Sequence, residues 1–207
     1  MMRTARILRV IAVTVLASIV FASPASAREA VDPATLTPAP PPEFNAVCER
    51  TGNQIICTLA FSDPDVVAEP SGVVCGSTEL LFSVSRSVVG KRYYDADGNL
   101  LTRHFRESIT GSFTNPVTGK VATFVAYDTV LHQLETAGDD TTGTVSFTGL
   151  QNRITGPEGN TILVDAGRVI IDQSTGEFIA SHGPHHFDDY FARGDTHALD
   201  PLCAALA

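Results

Sequence analysis

Apolar and polar residues alternate along most of this chain, and this pattern restricts the fold to β-structure. In one run, Leu80, Phe82, Val84 and Val88 share one side and serines occupy the other, with Arg86 as an exception. Successive side chains of a strand face opposite ways, so a period of two is typical of half-buried strands. Further residues that share a face are Val121, Val125, Tyr127 and Leu131; Val145 and Phe147; Ile162 and Val164; and Phe178 and Ala180.

Short polar stretches rich in Gly, Asn and Asp separate these runs. They supply the residues that tight hairpins need at positive φ. The pattern predicts eight to ten strands in sequence-neighbour order. The stretches are residues 95–99, 115–119, 137–143, 156–160 and 173–177.

A meander of this length can bury its apolar faces by closing into a barrel or by folding into a sandwich. Closure also removes exposed sheet edges, and the short connections leave little chain for Greek-key crossovers. We therefore expect an all-β, antiparallel meander that closes into a β-barrel, with a sandwich as the alternative. Only the tail is predicted to be helical, with a short turn at 187–191 and a short helix within 196–206.

The strand expected over 121–135 has a second, partly polar face. Its even positions are Ala122, Phe124, Ala126 and Asp128. These residues would line a lumen if the barrel encloses one. We otherwise expect them to face solvent.

Residues 1–27 have the features of a signal peptide. Arginines precede an apolar run that is too short for a permanent membrane span, and Ala25-Ser26-Ala27 is a typical cleavage pattern. Residues 28–43 are rich in Pro, and we expect an extended linker there. Residues 44–207 would then form a single β domain, located outside the cell and free of the membrane after cleavage.

The acidic charge of the chain excludes anionic partners. The whole chain has 14 basic and 23 acidic residues, and residues 1–27 contain three Arg and no acid. The mature part therefore has 11 basic against 23 acidic residues, a formal charge of −12. Such a balance repels nucleic acid phosphates and anionic lipid surfaces.

Four cysteines lie in the predicted exported part, which favours two disulfides. Cys48 and Cys57 are symmetric about Gly52-Asn53, so a two-residue hairpin would place them opposite each other. Cys75 then pairs with Cys203 by elimination. The chain has no Cys-x-x-Cys spacing, and we predict no zinc site.

The densest polar cluster lies between the last predicted strand and the tail. Imidazoles and carboxylates on a Gly-Pro loop could supply an acid and a base, but they lack the spacing of a known metal-binding helix. Alternatively, the histidines bond to the backbone and the acids cap helix starts. The candidate residues are His182, His185, His186, Asp188 and Asp189.

No other motif indicates a catalytic or cofactor site. The chain has no Gly-x-Ser-x-Gly elbow and no phosphate-binding glycine loop before a helix. Residues 95–99 resemble a calcium loop, but aligning Gly98 with the loop glycine puts Tyr93 and His104 at positions that need acids. We therefore predict no cofactor and no metal.

Several short motifs carry a family resemblance that covers about two thirds of the chain. They resemble those of a family of small exported actinobacterial β proteins that are uncharacterised. This resemblance implies export and assigns no functional residue. The motifs are residues 72–75, 94–99, 111–120, 165–168 and 183–185.

Three functions remain open from the sequence. The leading hypothesis is a secreted, non-enzymatic β-barrel that binds a small apolar molecule, since small barrels often enclose one ligand. The second is an extracellular enzyme of cyclase or hydrolase type that uses the region 182–186. The third is a cell-envelope interaction module with no ligand pocket.

Overall fold

The computed structural model describes residues 28–207, so the predicted signal peptide lies outside the described residues. The protein is predominantly β, antiparallel throughout, with two short helices at the C-terminus. The strands are β1 (Glu29–Val31), β2 (Val47–Thr51), β3 (Gln54–Ser62), β4 (Val66–Cys75), β5 (Thr78–Tyr94), β6 (Leu100–Thr114), β7 (Val121–Gln133), β8 (Thr144–Thr155), β9 (Thr161–Asp172) and β10 (Phe178–His182); the helices are α1 (His186–Phe191) and α2 (Asp200–Leu206).

One sheet contains all ten strands, and most strands pair with their sequence neighbours. The exception lies at β5, which is long enough to pair with two strands along the same edge. Its C-terminal half pairs with β3 and its N-terminal half with β4, while β6 follows its other edge. The predicted antiparallel sheet is therefore confirmed, and its sequence-neighbour order holds except that β3 pairs with β5 and not with β4.

The sheet is not closed into a barrel, so the predicted closure is not confirmed. In residues 28–207, no strand pairing joins β10 to β1 or to β4. The pairing ends because β10 is only five residues long and is followed by Gly183-Pro184, where proline cannot donate a ladder hydrogen bond.

The C-terminal helices bridge this open side. The Val74 backbone N–H on β4 donates to the Tyr190 hydroxyl of α1 at 3.0 Å. At the other end of α1, the Asp165 carboxylate of β9 accepts the His186 and Phe187 backbone N–H groups. A strongly curved sheet is thus completed by helix contacts where a barrel would have strand pairing.

Both disulfides are present, with the pairing that the hairpin argument predicts. Cys48 and Cys57 are direct partners across β2 and β3, with their Cα atoms 4.0 Å apart. The Cys75–Cys203 disulfide attaches α2 to β4. Disulfides persist in oxidising compartments, so the two bonds suggest an oxidising extracellular environment.

The core consists of two apolar clusters on the concave face. The larger one lies under α1 and α2, and the smaller one lies at the opposite end, around the first disulfide. The larger cluster contains Val73, Leu80, Phe113, Ala122, Phe124, Ile154, Leu163, Leu199, Leu202 and Leu206; the smaller contains Leu36, Cys48, Ile55, Cys57, Tyr94 and Leu100.

The expectation that the even face of β7 points to solvent is wrong, and these residues lie on the inner side of the sheet. Ala122 and Ala126 are fully buried on the concave side, whereas Tyr127 on the odd face is 54% exposed. Alternation identifies two faces but not which one is inside, and here the face with smaller side chains fits the inner curve of the sheet.

Residues 28–43 pack against the β domain and do not form an independent spacer. It is largely extended, but β1 pairs with β2 and Leu36 is buried in the smaller core cluster. The Tyr94 hydroxyl donates to the Pro38 carbonyl at 3.2 Å. Because proline already fixes φ, a Pro-rich segment loses less conformational entropy when it packs.

Candidate ligand-binding site

Between the concave face and α1 lies an apolar cleft of about 430 Å³ that is open to solvent on one side, which we call the apolar cavity. Strands β4 to β8 form its floor; β5, β6 and β7 contribute most of the apolar side chains, and β8 contributes Gln151 and Asn152. Aromatic rings form much of the wall, with the Phe113 ring centroid 5.3 Å from that of Phe124 and 5.8 Å from that of Phe187. The main apolar lining residues are Phe82, Val84, Ile109, Phe113, Phe124 and Phe187.

Arg86 lies at one margin of the apolar cavity, and its charge is already balanced. Its guanidinium makes two hydrogen bonds to the Glu107 carboxylate, at 2.6 and 3.1 Å, and one to Asp63 at 2.5 Å. The pKa of Arg86 is raised, chiefly because of its hydrogen bond to Glu107. This ion pair therefore forms a structured polar edge rather than a free cation.

A second cavity of about 360 Å³, which we call the side cavity, adjoins the first. The two cavities share Gln151, Asn152 and Phe187 as lining residues. The side cavity has apolar walls but no basic residue in its lining, which includes Asp128, Asp165 and Asp188. Its apolar lining residues are Phe147, Val169, Ile171, Phe178, Phe187 and Ala192.

Among the carboxyl groups of this lining, that of Asp128 has one oxygen that is buried and makes no hydrogen bond. It lies on β7, between Glu107 on β6 and Gly149 on β8. Its Oδ1 atom is buried and has no hydrogen-bond partner. Burial, and then repulsion from Glu107, raise the pKa of Asp128 from 3.8 to about 6, against the opposing effect of Arg86.

Two glycines allow close approach of the strands beside Asp128. Gly149 on β8 and Gly167 on β9 are register partners, and both have a φ of 139°, which L side chains rarely adopt. A Cβ atom at Gly149 would lie 2.5 Å from the Tyr127 carbonyl oxygen. The strands can therefore pass close together here only without side chains at these two positions.

The sequence-predicted histidines are held by structural partners. His182 is exposed, whereas His185 is buried and both of its ring nitrogens are occupied. His185 Nδ1 lies 2.7 Å from Gln151 Oε1, and Nε2 lies 3.0 Å from the His182 carbonyl oxygen. His186 Nδ1 lies 2.6 Å from Asp165 Oδ1.

The predicted acids have separate surroundings. Asp188 lines the side cavity, and burial is the main cause of its raised pKa. Asp189 instead bonds to Arg193 at 2.6 Å. Of the five predicted site residues, only Asp188 lines an interior cavity, because the imidazoles turn toward the backbone and toward Gln151 and Asp165.

Comparison with known proteins adds no assignment. No protein-family model, curated protein or solved structure matches this chain. The resemblance to exported actinobacterial β proteins therefore stays a prediction. Among residues 28–207, no helix is long and apolar enough to cross a membrane, and no group of three or more His, Cys, Asp or Glu is placed to hold a metal ion.

A larger depression, of about 760 Å³, lies mainly on the convex face. Val47 and Val89 contribute to it and are 66% and 53% exposed. Its lining comes from strands β2, β3, β5 and β6 and the adjoining Asn45, so no second layer covers it. The interior cavities are bounded by the sheet on one side and by α1 on the other, and they are the better candidate site.

Proposed function

We propose that this protein is a secreted, non-enzymatic binding protein that holds one small apolar molecule in the apolar cavity. The observation that carries the proposal is the space of about 430 Å³ between the concave face and α1. Ligand pockets in proteins are typically concave and largely apolar, with volumes of ~300–1,000 Å³. A filled interior would instead favour an interaction module without a ligand.

The chemistry of the lining supports an apolar ligand. Phe113 and Phe187 contribute aromatic surface from opposite sides, the sheet and α1. Apolar space in a protein interior is costly when empty, since the surrounding side chains lose dispersion contacts. An apolar guest of fitting size would restore those contacts and remove its own surface from water.

Ligand binding without catalysis is favoured because no His residue lines either the apolar cavity or the side cavity. Both ring nitrogens of His185 are engaged, and the Asp165 carboxylate that meets His186 also caps α1. The cavities thus lack an imidazole that is poised between a carboxylate and a bound molecule.

A fluorescence titration with a neutral apolar probe, N-phenyl-1-naphthylamine, tests this proposal on the disulfide-intact protein. Val84→Phe places a larger side chain in the apolar cavity and should weaken probe binding by ~10-fold or more. Val121→Phe is the matched control, because Val121 is 40% exposed and does not line this cavity. Absence of probe binding, or equal binding by both variants, would overturn the proposal.

A further inference from the structure

We infer that the natural ligand carries a cationic amine, which binds against Asp128 in the side cavity while its apolar part contacts the aromatic walls. This inference rests on the proposed function, because it names the chemistry of the molecule held inside the sheet. It is carried by the side cavity itself, by the unpartnered oxygen of Asp128 and by the charges of the lining.

The surrounding groups leave Asp128 as the free anchor. Arg86 is the basic group that acts on the Asp128 carboxyl, and its guanidinium is bonded to Asp63 and Glu107. Asp165 accepts three hydrogen bonds from the start of α1. Asp128 Oδ1, by contrast, is buried without a hydrogen-bond partner.

A buried acceptor without a partner costs free energy, and a bound donor would remove that cost once the Asp128 carboxyl group rotates to present an oxygen to the side cavity. An ammonium group fits best because it donates hydrogen bonds and also neutralises the charge shared by Asp128 and Glu107. An anionic ligand would add a further negative charge beside Asp128, Asp165 and Asp188. The lining therefore disfavours acidic ligands as well as favouring amines.

The rest of the side cavity suits the body of such a ligand. Phe147, Phe178 and Phe187 contribute aromatic surface, which attracts both hydrocarbon and cations. Since Gln151, Asn152 and Phe187 line both cavities, one ligand could extend from the side cavity into the apolar cavity.

Three probes of matched shape separate charge from hydrophobicity: 4-phenylbutylamine, 4-phenylbutan-1-ol and 4-phenylbutyrate. Isothermal titration calorimetry at pH 7.5 should show the amine binding at least ~10-fold more tightly than the alcohol. The butyrate should bind more weakly than the alcohol. In Asp128→Asn the amine should lose most of its advantage over the alcohol, with the affinity of the alcohol unchanged.

Glu158→Gln is the matched control, since it removes one negative charge at an exposed residue that lines neither interior cavity. It should retain the full preference for the amine. Equal binding of amine and alcohol by the unmodified protein, or an undiminished preference in Asp128→Asn, would overturn this inference while leaving the proposed function intact. Failure of the alcohol and of the neutral naphthylamine to bind would overturn the proposed function itself.

Discussion

Replacement of Asp128 by Asn should stabilise the folded protein at neutral and alkaline pH. The structure buries Asp128 Oδ1 without a partner and places the carboxyl beside Glu107. An amide of the same shape removes the charge and its repulsion. Most substitutions at partly buried positions destabilise a protein, so an increase in the free energy of unfolding would be a specific result.

The magnitude follows from the pKa of Asp128, which is about 6 against the ordinary value of 3.8. At ~1.36 kcal/mol for each pKa unit, the ionised group destabilises the fold by at most ~3 kcal/mol. Because Asp128 is only partly buried, solvent screening reduces the expected gain to about 1–2 kcal/mol.

The pH dependence has a definite sign. Between pH 3.8 and about 6 the folded protein binds more protons at Asp128 than the unfolded chain does. This group's destabilising effect therefore grows as pH rises through that window and is fully present above it. The difference between Asp128→Asn and the unmodified protein should be constant above pH 7 and disappear below pH 3.8.

Urea denaturation at pH 8 and pH 3.5, without reductant, measures this difference. Glu158→Gln serves as the control and should lie within ~0.5 kcal/mol of the unmodified protein at both pH values. The reasoning is refuted if Asp128→Asn is equal or lower in stability at pH 8, or if its advantage persists unchanged at pH 3.5.

Three further predictions concern the architecture and export. Loss of the Cys75–Cys203 disulfide in the double serine variant should lower the free energy of unfolding by up to ~5 kcal/mol, since the bond closes a loop of over 100 residues; urea denaturation that shows no loss would contradict this. Gly167→Ala should lower the free energy of unfolding by more than ~2 kcal/mol, because a Cβ atom there would lie 1.9 Å from the His182 carbonyl oxygen. An unchanged thermal unfolding transition would argue against the described close approach of the strands. N-terminal sequencing of protein collected from the culture medium should begin at Arg28, whereas an intact Met1 would count against cleavage.

The sequence was sufficient to predict the strands and the disulfides, because both depend on local patterns. The hairpin symmetry of Cys48 and Cys57 fixes one disulfide, and elimination gives the other. The covering of the sheet's open side by the helices is a long-range property, however. It depends on Tyr190 reaching Val74, which lies 116 residues earlier in the chain.

The candidate site was harder to predict for a related reason. The sequence draws attention to the histidines near the tail because they are close together in the chain. The strand register is what places Asp128 beside Glu107, the carboxylate that Arg86 binds. In the sequence, Asp128 and Arg86 are visible only as interruptions of the alternating pattern. Such an interruption indicates a site only when it is known which face of β7 lies inside.

The central claim is that an apolar molecule binds between the concave face and α1. Methyl NMR spectra, recorded during titration with N-phenyl-1-naphthylamine, test this claim most directly. The account predicts that methyl resonances of Val84, Ile109 and Ala126, which line the apolar cavity, shift progressively while that of Val121 does not. Shifts confined to Val47 and Val89 on the convex face would contradict it.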